Sequence, residues 1–223
     1  PIQPEEYLDA GSVFEFQYAR DLGPGVRAGV IGDPQLGAER PLHVPSQKAI
    51  VFVDNHDTER GEASVTYRDG GLYLIANALM LADDFGTPSG YAFSDRDAGP
   101  ATDGSGTAVA WTCAGVTGPR DAYADGDGVC TEGWTAIAGL LELRRWAGDA
   151  PRLPGVDDGD VYGFERDGRA LLLVNPSGED AAAVVPTGLP DGVYCDVVAA
   201  GRLEPIEVPE DGSRSQASYS EGA

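Results

Sequence analysis

The sequence predicts an α/β region followed by a small antiparallel β-domain, and three observations support this division. Residues 49–53 form an uninterrupted apolar run, which is typical of a strand buried on both faces of a parallel sheet. Residues 72–82 are almost wholly apolar and predict a buried helix. Residues 161–175 place Asp167-Gly168 between two short apolar segments, which predicts a β-hairpin.

The remaining elements of the α/β region give weaker patterns. Residues 12–18 alternate, and the strand they predict would have Phe14, Phe16 and Tyr18 on one face. Residues 23–45 are rich in glycine and proline and only weakly helical, whereas residues 85–88 predict a short strand. Residues 134–146 predict an amphipathic helix, whose inward side chains would be Trp134, Ile137, Leu140 and Leu141, with Arg144 and Arg145 suited to the dipole of its last turns.

Beyond the hairpin, short apolar segments continue at the spacing of antiparallel strands. They lie at residues 183–185, 193–198 and 206–208. We expect the boundary between the two parts near residues 150–156. The polar residues 213–223 show no pattern, and we expect them to be disordered.

The net charge of the chain excludes some classes of partner. Asp and Glu number 37 against 15 basic residues, giving a formal charge of -22, and Lys48 is the single lysine. Such a surface repels nucleic acid and anionic membranes, and no apolar run approaches the ~20 residues of a membrane span. We interpret the charge as adaptation to salt; the alternative is an ordinary acidic secreted protein from a GC-rich genome.

The three cysteines give information on the cellular compartment in which the protein folds. Cys113 and Cys130 flank a loop rich in Gly and Asp, and a bridge between them would close roughly 18 residues and contribute about 3 kcal/mol. A disulfide would imply an oxidising compartment, and no Cys/His spacing suggests zinc. Cys195 would then be a free thiol or half of a bridge to a residue outside this chain.

The most informative segment is residues 53–60, Val-Asp-Asn-His-Asp-Thr-Glu-Arg, directly behind the apolar run. It combines carboxylates, an amide and one of two histidines at the end of a predicted buried strand, where parallel barrels carry out their chemistry. The alternatives are structural. Asp57 would be a capping carboxylate, His56 a packed histidine, Asp54 a buried acid, and Glu59 with Arg60 a solvated ion pair.

Residues 52–57, Phe-Val-Asp-Asn-His-Asp, resemble the seventh-strand motif of α-amylases in glycoside hydrolase family 13, of the type shared by animals and secreted actinobacterial enzymes. Nearly the whole chain to about Gly201 resembles this family, with its motifs in the family's order. The other matching segments are residues 7–22, residues 73–81, Gly90-Tyr91 with Ser94-Asp95, the Cys113/Cys130 pair before Gly133-Trp134, and residues 192–196.

The resemblance implies a fold and a reaction. The fold is the last part (strands 6–8) of a TIM (β/α)8 barrel over residues 1–152, followed by a small antiparallel β-sandwich domain over residues 153–212 and the tail at 213–223. The reaction is endo-hydrolysis of α-1,4-glucosidic bonds in starch with retention. It requires a nucleophilic carboxylate and a general acid about 5–5.5 Å apart.

The resemblance also implies residue roles. Asp57 corresponds to the third catalytic carboxylate, which stabilises the transition state, and His56 to a histidine that binds the same sugar. Asn55 corresponds to a position that ligates chloride in animal enzymes and is structural elsewhere. The chloride site also needs an arginine after the eighth strand; residues 86–89 contain no cation, which argues against chloride. The resemblance pairs Cys113 with Cys130.

The family's nucleophile, general acid and calcium ligands align before Pro1. Because the chain begins without methionine or leader, we expect an internal or C-terminal piece of a longer protein, inactive by itself, with calcium bound outside this chain. Residues 121–132 echo a calcium loop, but a salt-adapted acidic loop fits them better.

We expect the longer protein to be a secreted monomer acting on starch or maltooligosaccharides. The rivals are a non-catalytic glucan-binding module or pseudoenzyme, and a debranching enzyme or glucosidase.

Overall fold

The computed structural model describes residues 3–31, 42–91, 93–94, 105, 128–198, 206–207 and 216–218. Within these ranges an α/β region precedes a set of antiparallel strands, as the sequence predicts. The α/β region contains β1 (Val13–Phe14), α1 (Phe16–Ala28), β2 (Ala49–Val51), α2 (Gly71–Ala82), β3 (Thr87–Pro88), β4 (Phe93–Ser94), β5 (Gly128–Val129) and α3 (Thr135–Ala147). The later strands are β6 (Val156–Asp157), β7 (Tyr162–Arg166), β8 (Ala170–Val174), β9 (Ala182–Val184), β10 (Val193–Tyr194), β11 (Ile206–Glu207) and β12 (Gln216–Ser218).

A parallel sheet in the order β1-β2-β3 organises the first region. Val13 pairs with Ala49, and Ile50 pairs with Thr87, so the carboxyl ends of the three strands lie at one edge. The predicted buried strand is confirmed, although its ladder ends at Val51 and the chain stays buried through Val53. This edge therefore presents whatever follows each strand to a common space.

One glycine is required where β3 approaches β2. Gly86 has φ +68, and a Cβ built there would lie 2.8 Å from Val51 Cγ1. A larger residue would therefore push the two strands apart, because left-handed backbone and close approach coincide at this position.

The strand predicted over residues 12–18 is only half right. The strand ends at Phe14, and helix α1 starts at Phe16 after Glu15, whose side chain accepts the Gln17 N–H. The helical spacing of Tyr18, Leu22 and Val26, all buried, was present in the sequence. It was obscured by Gly23, Pro24 and Gly25, which are poor helix formers but are accommodated inside α1.

Helices α2 and α3 confirm their predictions with one correction. Helix α2 is buried along most of its length, and α3 buries Ile137 and Leu140 against the same core. Leu141, predicted to face inward, is 44% exposed. One residue further along a helix turns the side chain by about 100°, which takes Leu141 off the buried face.

The hairpin of β7 and β8 is confirmed, with Arg166 paired to Ala170 and Gly168 at φ +64 in the turn. Its two faces are both apolar. Phe164 and Leu172 pack into the core that contains α2 and α3, whereas Leu171 and Leu173 pack against a separate cluster of Val161, Ala183 and Val185. The hairpin thus links the α/β region to the remaining antiparallel strands.

The disordered tail predicted for residues 213–223 is wrong for part of its length. Strand β12 pairs antiparallel with β9, and Gln216 lies opposite Val184. A polar, pattern-free sequence can still add to a sheet, because the ladder is made by backbone groups. The other antiparallel pair, β10 with β11, confirms the expected strands near residues 193 and 206.

Two arginines join α2, α3 and the hairpin. Arg166, 2% exposed, donates to the carbonyls of Ala82 and Asp83 at the end of α2 and to those of Gly148 and Ala150 behind α3. Arg144, predicted to suit the dipole of its own helix, instead donates across to the carbonyls of Leu81, Asp83 and Gly86. Both cations satisfy carbonyls that a helix end leaves unpaired.

Cys130 is buried and disulfide-bonded, and Cys195 is an exposed free thiol. Cys113 lies outside the described residues, so the Cys113–Cys130 pairing stays a prediction. Among the described helices, none has both the length and the apolar character that a membrane span requires. The limits predicted for the domains also remain predictions.

Candidate active site at the carboxyl edge of the parallel sheet

The segment behind β2 contains both buried and exposed side chains. Asp54, Thr58 and Glu59 are buried, whereas His56 and Asp57 face solvent with 64% and 67% of their side chains exposed. Two consecutive exposed residues followed by two consecutive buried ones do not fit the alternation of an extended strand, so the chain turns here. The turn presents two polar side chains on a buried polar base.

Asn55 builds this turn. Its side-chain oxygen Oδ1 accepts the N–H groups of Asp57 at 2.9 Å and Thr58 at 3.1 Å. Its backbone carbonyl accepts the N–H groups of Thr58 and Glu59 at 3.2 and 3.0 Å. These contacts use the two oxygens of Asn55 in the way an N-cap residue uses its side chain, so Asn55 has a structural role in the turn.

His56 and Asp57 lie side by side at the sheet edge. His56 Nε2 is 3.3 Å from Asp57 Oδ1, which makes an ion pair whenever the imidazole is protonated. Tyr91, three residues beyond β3, brings its ring centroid to 5.6 Å from that of His56. The parallel sheet explains this contact, since the segments that follow β2 and β3 leave at the same edge.

Asp54 is a buried acid behind the exposed pair. It is 2% exposed; its Oδ1 accepts the Tyr73 hydroxyl at 3.0 Å, and its Oδ2 lies buried without a hydrogen-bond partner among the described residues. Burial raises the pKa of Asp54 to about 7, and the Tyr73 hydrogen bond lowers it only in part. The site therefore rests on a carboxyl group that titrates near neutrality.

Glu59 and Arg60 do not form the solvated pair expected from the sequence. The Glu59 side chain is 3% exposed and is held by two guanidinium groups, Arg60 Nε at 2.7 Å and Arg68 Nη1 at 2.9 Å. Arg68 comes from the turn before α2, so this contact ties the segment behind β2 to the next element. The charge cluster is part of the structure that supports the turn.

Thr58 and Tyr73 were missed as partners of the site. Thr58 stands three residues after Asn55, and Asn is a residue type whose side chain accepts backbone N–H groups further along a turn. Tyr73 had no such signal, since it is 19 residues from Asp54 and lies in an apolar helix. Among the described residues, no group of three or more His, Cys, Asp or Glu could hold a metal ion, and residues 121–127 of the predicted acidic loop lie outside them.

An exposed carboxylate beside an imidazole can bind a polyhydroxylated ligand. The carboxylate accepts hydrogen bonds from hydroxyl groups, and the imidazole donates or accepts one. The two neighbouring acids do not supply a second accessible carboxylate, because Asp54 is buried and Glu59 is buried and paired. The geometry thus defines an α/β protein with an exposed polar pair at the carboxyl edge of its parallel sheet.

Comparison with known proteins gives the family. The chain is 35% identical over 200 residues to an α-amylase of Streptomyces violaceus, covering 88% of this chain and 33% of that protein. It is 36% identical to an α-amylase of Thermomonospora curvata over 88% of this chain and 31% of that protein, and 32% identical to one of Tenebrio molitor over 89% and 42%. By sequence, this chain is a relative of the α-amylases, and the predicted resemblance is confirmed.

Solved structures show the same fold. Wild-type α-amylase I from Eisenia fetida superposes with a TM-score of 0.77 at 23% identity, covering 97% of this chain and 48% of that one. A mutant of the same protein, described with maltohexaose, gives the same score. No family model matches the chain. The chain spans roughly a third to two fifths of the length of the curated relatives it matches.

Proposed function

We propose that this chain is the C-terminal portion of a secreted α-amylase that cleaves α-1,4-glucosidic bonds in starch with retention. It would supply strands six to eight of the (β/α)8 barrel and the antiparallel domain that follows. The observation that carries the proposal is the exposed His56–Asp57 pair at the carboxyl edge of the parallel sheet, in a chain related to α-amylases.

In this function Asp57 stabilises the transition state. Its carboxylate accepts hydrogen bonds from hydroxyl groups of the glucose that is cleaved, and these bonds strengthen as positive charge develops on the ring. His56 donates a further hydrogen bond to the same sugar. The turn built by Asn55 holds both side chains toward the substrate, with its side-chain oxygen accepting the Asp57 and Thr58 N–H groups.

The nucleophile, the general acid and the calcium ligands would lie in a preceding part of the protein. A retaining glycosidase needs two carboxyl groups about 5–5.5 Å apart, and of the three acids at positions 54, 57 and 59 only Asp57 is accessible. This chain by itself is therefore not expected to hydrolyse starch.

Several properties of the longer protein follow from the same proposal. The formal charge of -22 supports a salt-adapted surface, since like charges repel less when salt screens them. A Cys113–Cys130 disulfide would suit secretion, and the bonded state of Cys130 supports it. We propose a monomer that binds starch or maltooligosaccharides and neither nucleic acid nor membrane.

The decisive variant is Asp57→Asn in the complete enzyme. Turnover should fall by ~10³-fold or more while substrate binding largely persists, because the amide cannot stabilise the developing charge as a carboxylate does. Asp160→Asn, which removes an exposed carboxylate before β7, is the matched control and should leave turnover unchanged. Turnover near the wild-type value in Asp57→Asn would remove the assignment.

One observation favours a second candidate, a glucan-binding module or pseudoenzyme: of the three acids at positions 54, 57 and 59 only Asp57 is accessible. Starch co-sedimentation separates the two. Binding without hydrolysis, by a protein whose gene contains no further catalytic carboxylates upstream, would favour the binding module. Product analysis of the complete enzyme would distinguish endo-hydrolysis from debranching or glucosidase activity.

A further inference from the structure

Thr58 forms a reciprocal pair with Asn55 around the two exposed site residues. The Asn55 N–H donates to Thr58 Oγ1 at 3.0 Å, and the Thr58 N–H donates to Asn55 Oδ1 at 3.1 Å. The Thr58 hydroxyl also lies 3.3 Å from the same Oδ1. His56 and Asp57 are enclosed between these two residues, so their backbone cannot move without breaking the pair.

Thr58 also connects the turn to the chain that follows. Its carbonyl accepts the N–H groups of Gly61, Glu62 and Ala63 at 3.3, 2.9 and 2.8 Å. Its side chain is buried, with the residue 5% exposed, and it therefore does not face the space in front of Asp57. Thr58 acts on the site through the backbone and not through contact with a ligand.

The hydroxyl is the part of Thr58 that the turn requires. Without it, the Asn55 N–H would lose its acceptor in a partly buried position, and Asn55 would be held on one side only. The Asp57 N–H, which donates to Asn55 Oδ1 at 2.9 Å, depends on the same side chain. Removal of the Thr58 hydroxyl would therefore affect the backbone of Asp57 through the side chain of Asn55.

We propose that Thr58 is a positioning residue for Asp57, acting by the hydroxyl-to-backbone bond that fixes Asn55. The inference rests on the proposed function, in which Asp57 must meet a transition state within a fraction of an ångström. A displacement of about 1 Å at a reacting group can cost ~10²-fold in rate. The Thr58 hydroxyl would thus affect turnover without touching the substrate.

The test compares Thr58→Val, which keeps the shape and removes the hydroxyl, with Thr58→Ser, which keeps the hydroxyl. In the complete enzyme acting on a maltooligosaccharide, Thr58→Val should lower kcat by ~10–100-fold with KM changed by less than ~3-fold. Thr58→Ser should stay within ~3-fold of wild type in both. Equal losses in the two variants, or an unchanged kcat in Thr58→Val, would overturn the proposal.

A second readout does not depend on catalysis. In the 223-residue chain, hydrogen exchange at the Asp57 amide should be slowed in the wild type and in Thr58→Ser, and about 10-fold faster in Thr58→Val. If Thr58→Val does not fold, an unprotected Asp57 amide in the wild type is the result that rejects the inference. Protection without hydrolysis by the wild-type complete enzyme would reject the proposed function and leave the turn intact.

Discussion

Two regions of this molecule place charged side chains beside the ends of strands and helices, and they use them in opposite ways. At the junction of α2, α3 and the hairpin, Arg166 is buried and every one of its nitrogens donates to a backbone carbonyl. At the carboxyl edge of the parallel sheet, His56 and Asp57 are two thirds exposed. At the junction the guanidinium of Arg166 is fully used in hydrogen bonds within the fold, whereas at the edge two polar side chains remain accessible to solvent.

The carboxyl edge also contains both buried and exposed charged side chains within one short segment. Asp54 and Glu59 are buried and bonded to Tyr73 and to two arginines, and they form the base on which the exposed pair stands. The comparison teaches that proximity to the motif does not make a charged residue functional. What separates the two kinds is whether the side chain is buried or open to solvent.

Breaking the junction should have the largest effect on stability. Arg166→Met would leave the carbonyls at the ends of α2 and α3 buried without a donor, and we expect a loss of ~3–5 kcal/mol in the free energy of unfolding. Denaturant unfolding of the protein measures it.

The matched control for the junction is Arg145→Met. Arg145 lies at the end of the same helix, its side chain is 79% exposed, and it pairs with Glu142. Because exposed ion pairs contribute little, this variant should stay within ~0.5 kcal/mol of wild type. If the two variants lost similar amounts, the contrast between buried and exposed arginines would be wrong.

The next effect concerns the base of the site and depends on pH. Burial raises the pKa of Asp54 from 3.8 to about 7, so the folded protein holds a proton that the unfolded chain has already released. This contribution to stability is complete below pH 4 and is lost as the pH rises through 7, by ~4 kcal/mol. Asp54→Asn should flatten the fall in stability between pH 4 and pH 7.

Asp83 sets the background for that measurement. Its pKa is raised to about 6, mainly by burial, so it adds a fall of the same sign that persists in Asp54→Asn. The informative quantity is thus the difference between wild type and variant at each pH. A difference that does not change between pH 4 and pH 7 would show that Asp54 ionises normally in the folded protein.

The smallest expected effect concerns Tyr91, which contacts the exposed side chain of His56. Tyr91→Ala removes the ring that supports His56, and since such aromatic contacts are worth about 0.5–1.5 kcal/mol, KM for a maltooligosaccharide should rise by ~2–10-fold in the complete enzyme. Tyr91→Phe keeps the ring and should stay near wild type. A larger loss in Tyr91→Phe than in Tyr91→Ala would assign the effect to the hydroxyl.

The sequence was enough to predict the two exposed residues of the candidate site, but not the buried residues that support them. His56 and Asp57 stand directly behind an apolar run, and a local pattern is enough to place them at a strand end. Asp54 and Glu59 have the same neighbours in sequence, yet they are buried by α2 and by Arg68. No local pattern distinguishes these two acids from Asp57, because burial is decided by residues that lie elsewhere in the chain.

The sequence by itself determined the elements whose signals are local: the buried strand β2, the apolar helix α2, and the hairpin with Gly168 in its turn. These depend on the spacing of apolar residues and on backbone preferences that a few neighbours set. It also carried the similarity to α-amylases across nearly nine tenths of the chain.

Only the tertiary structure decided which polar groups are committed to the fold. Arg166 reaches carbonyls 84 residues away, Tyr73 meets Asp54 across 19 residues, and Tyr91 meets His56 because two parallel strands end at one edge. The start of α1 at Phe16 was likewise settled by the burial of Tyr18, Leu22 and Val26 despite Pro24. Contacts of this kind form only when distant segments pack, because each buried polar group must then find a partner or remain unsatisfied.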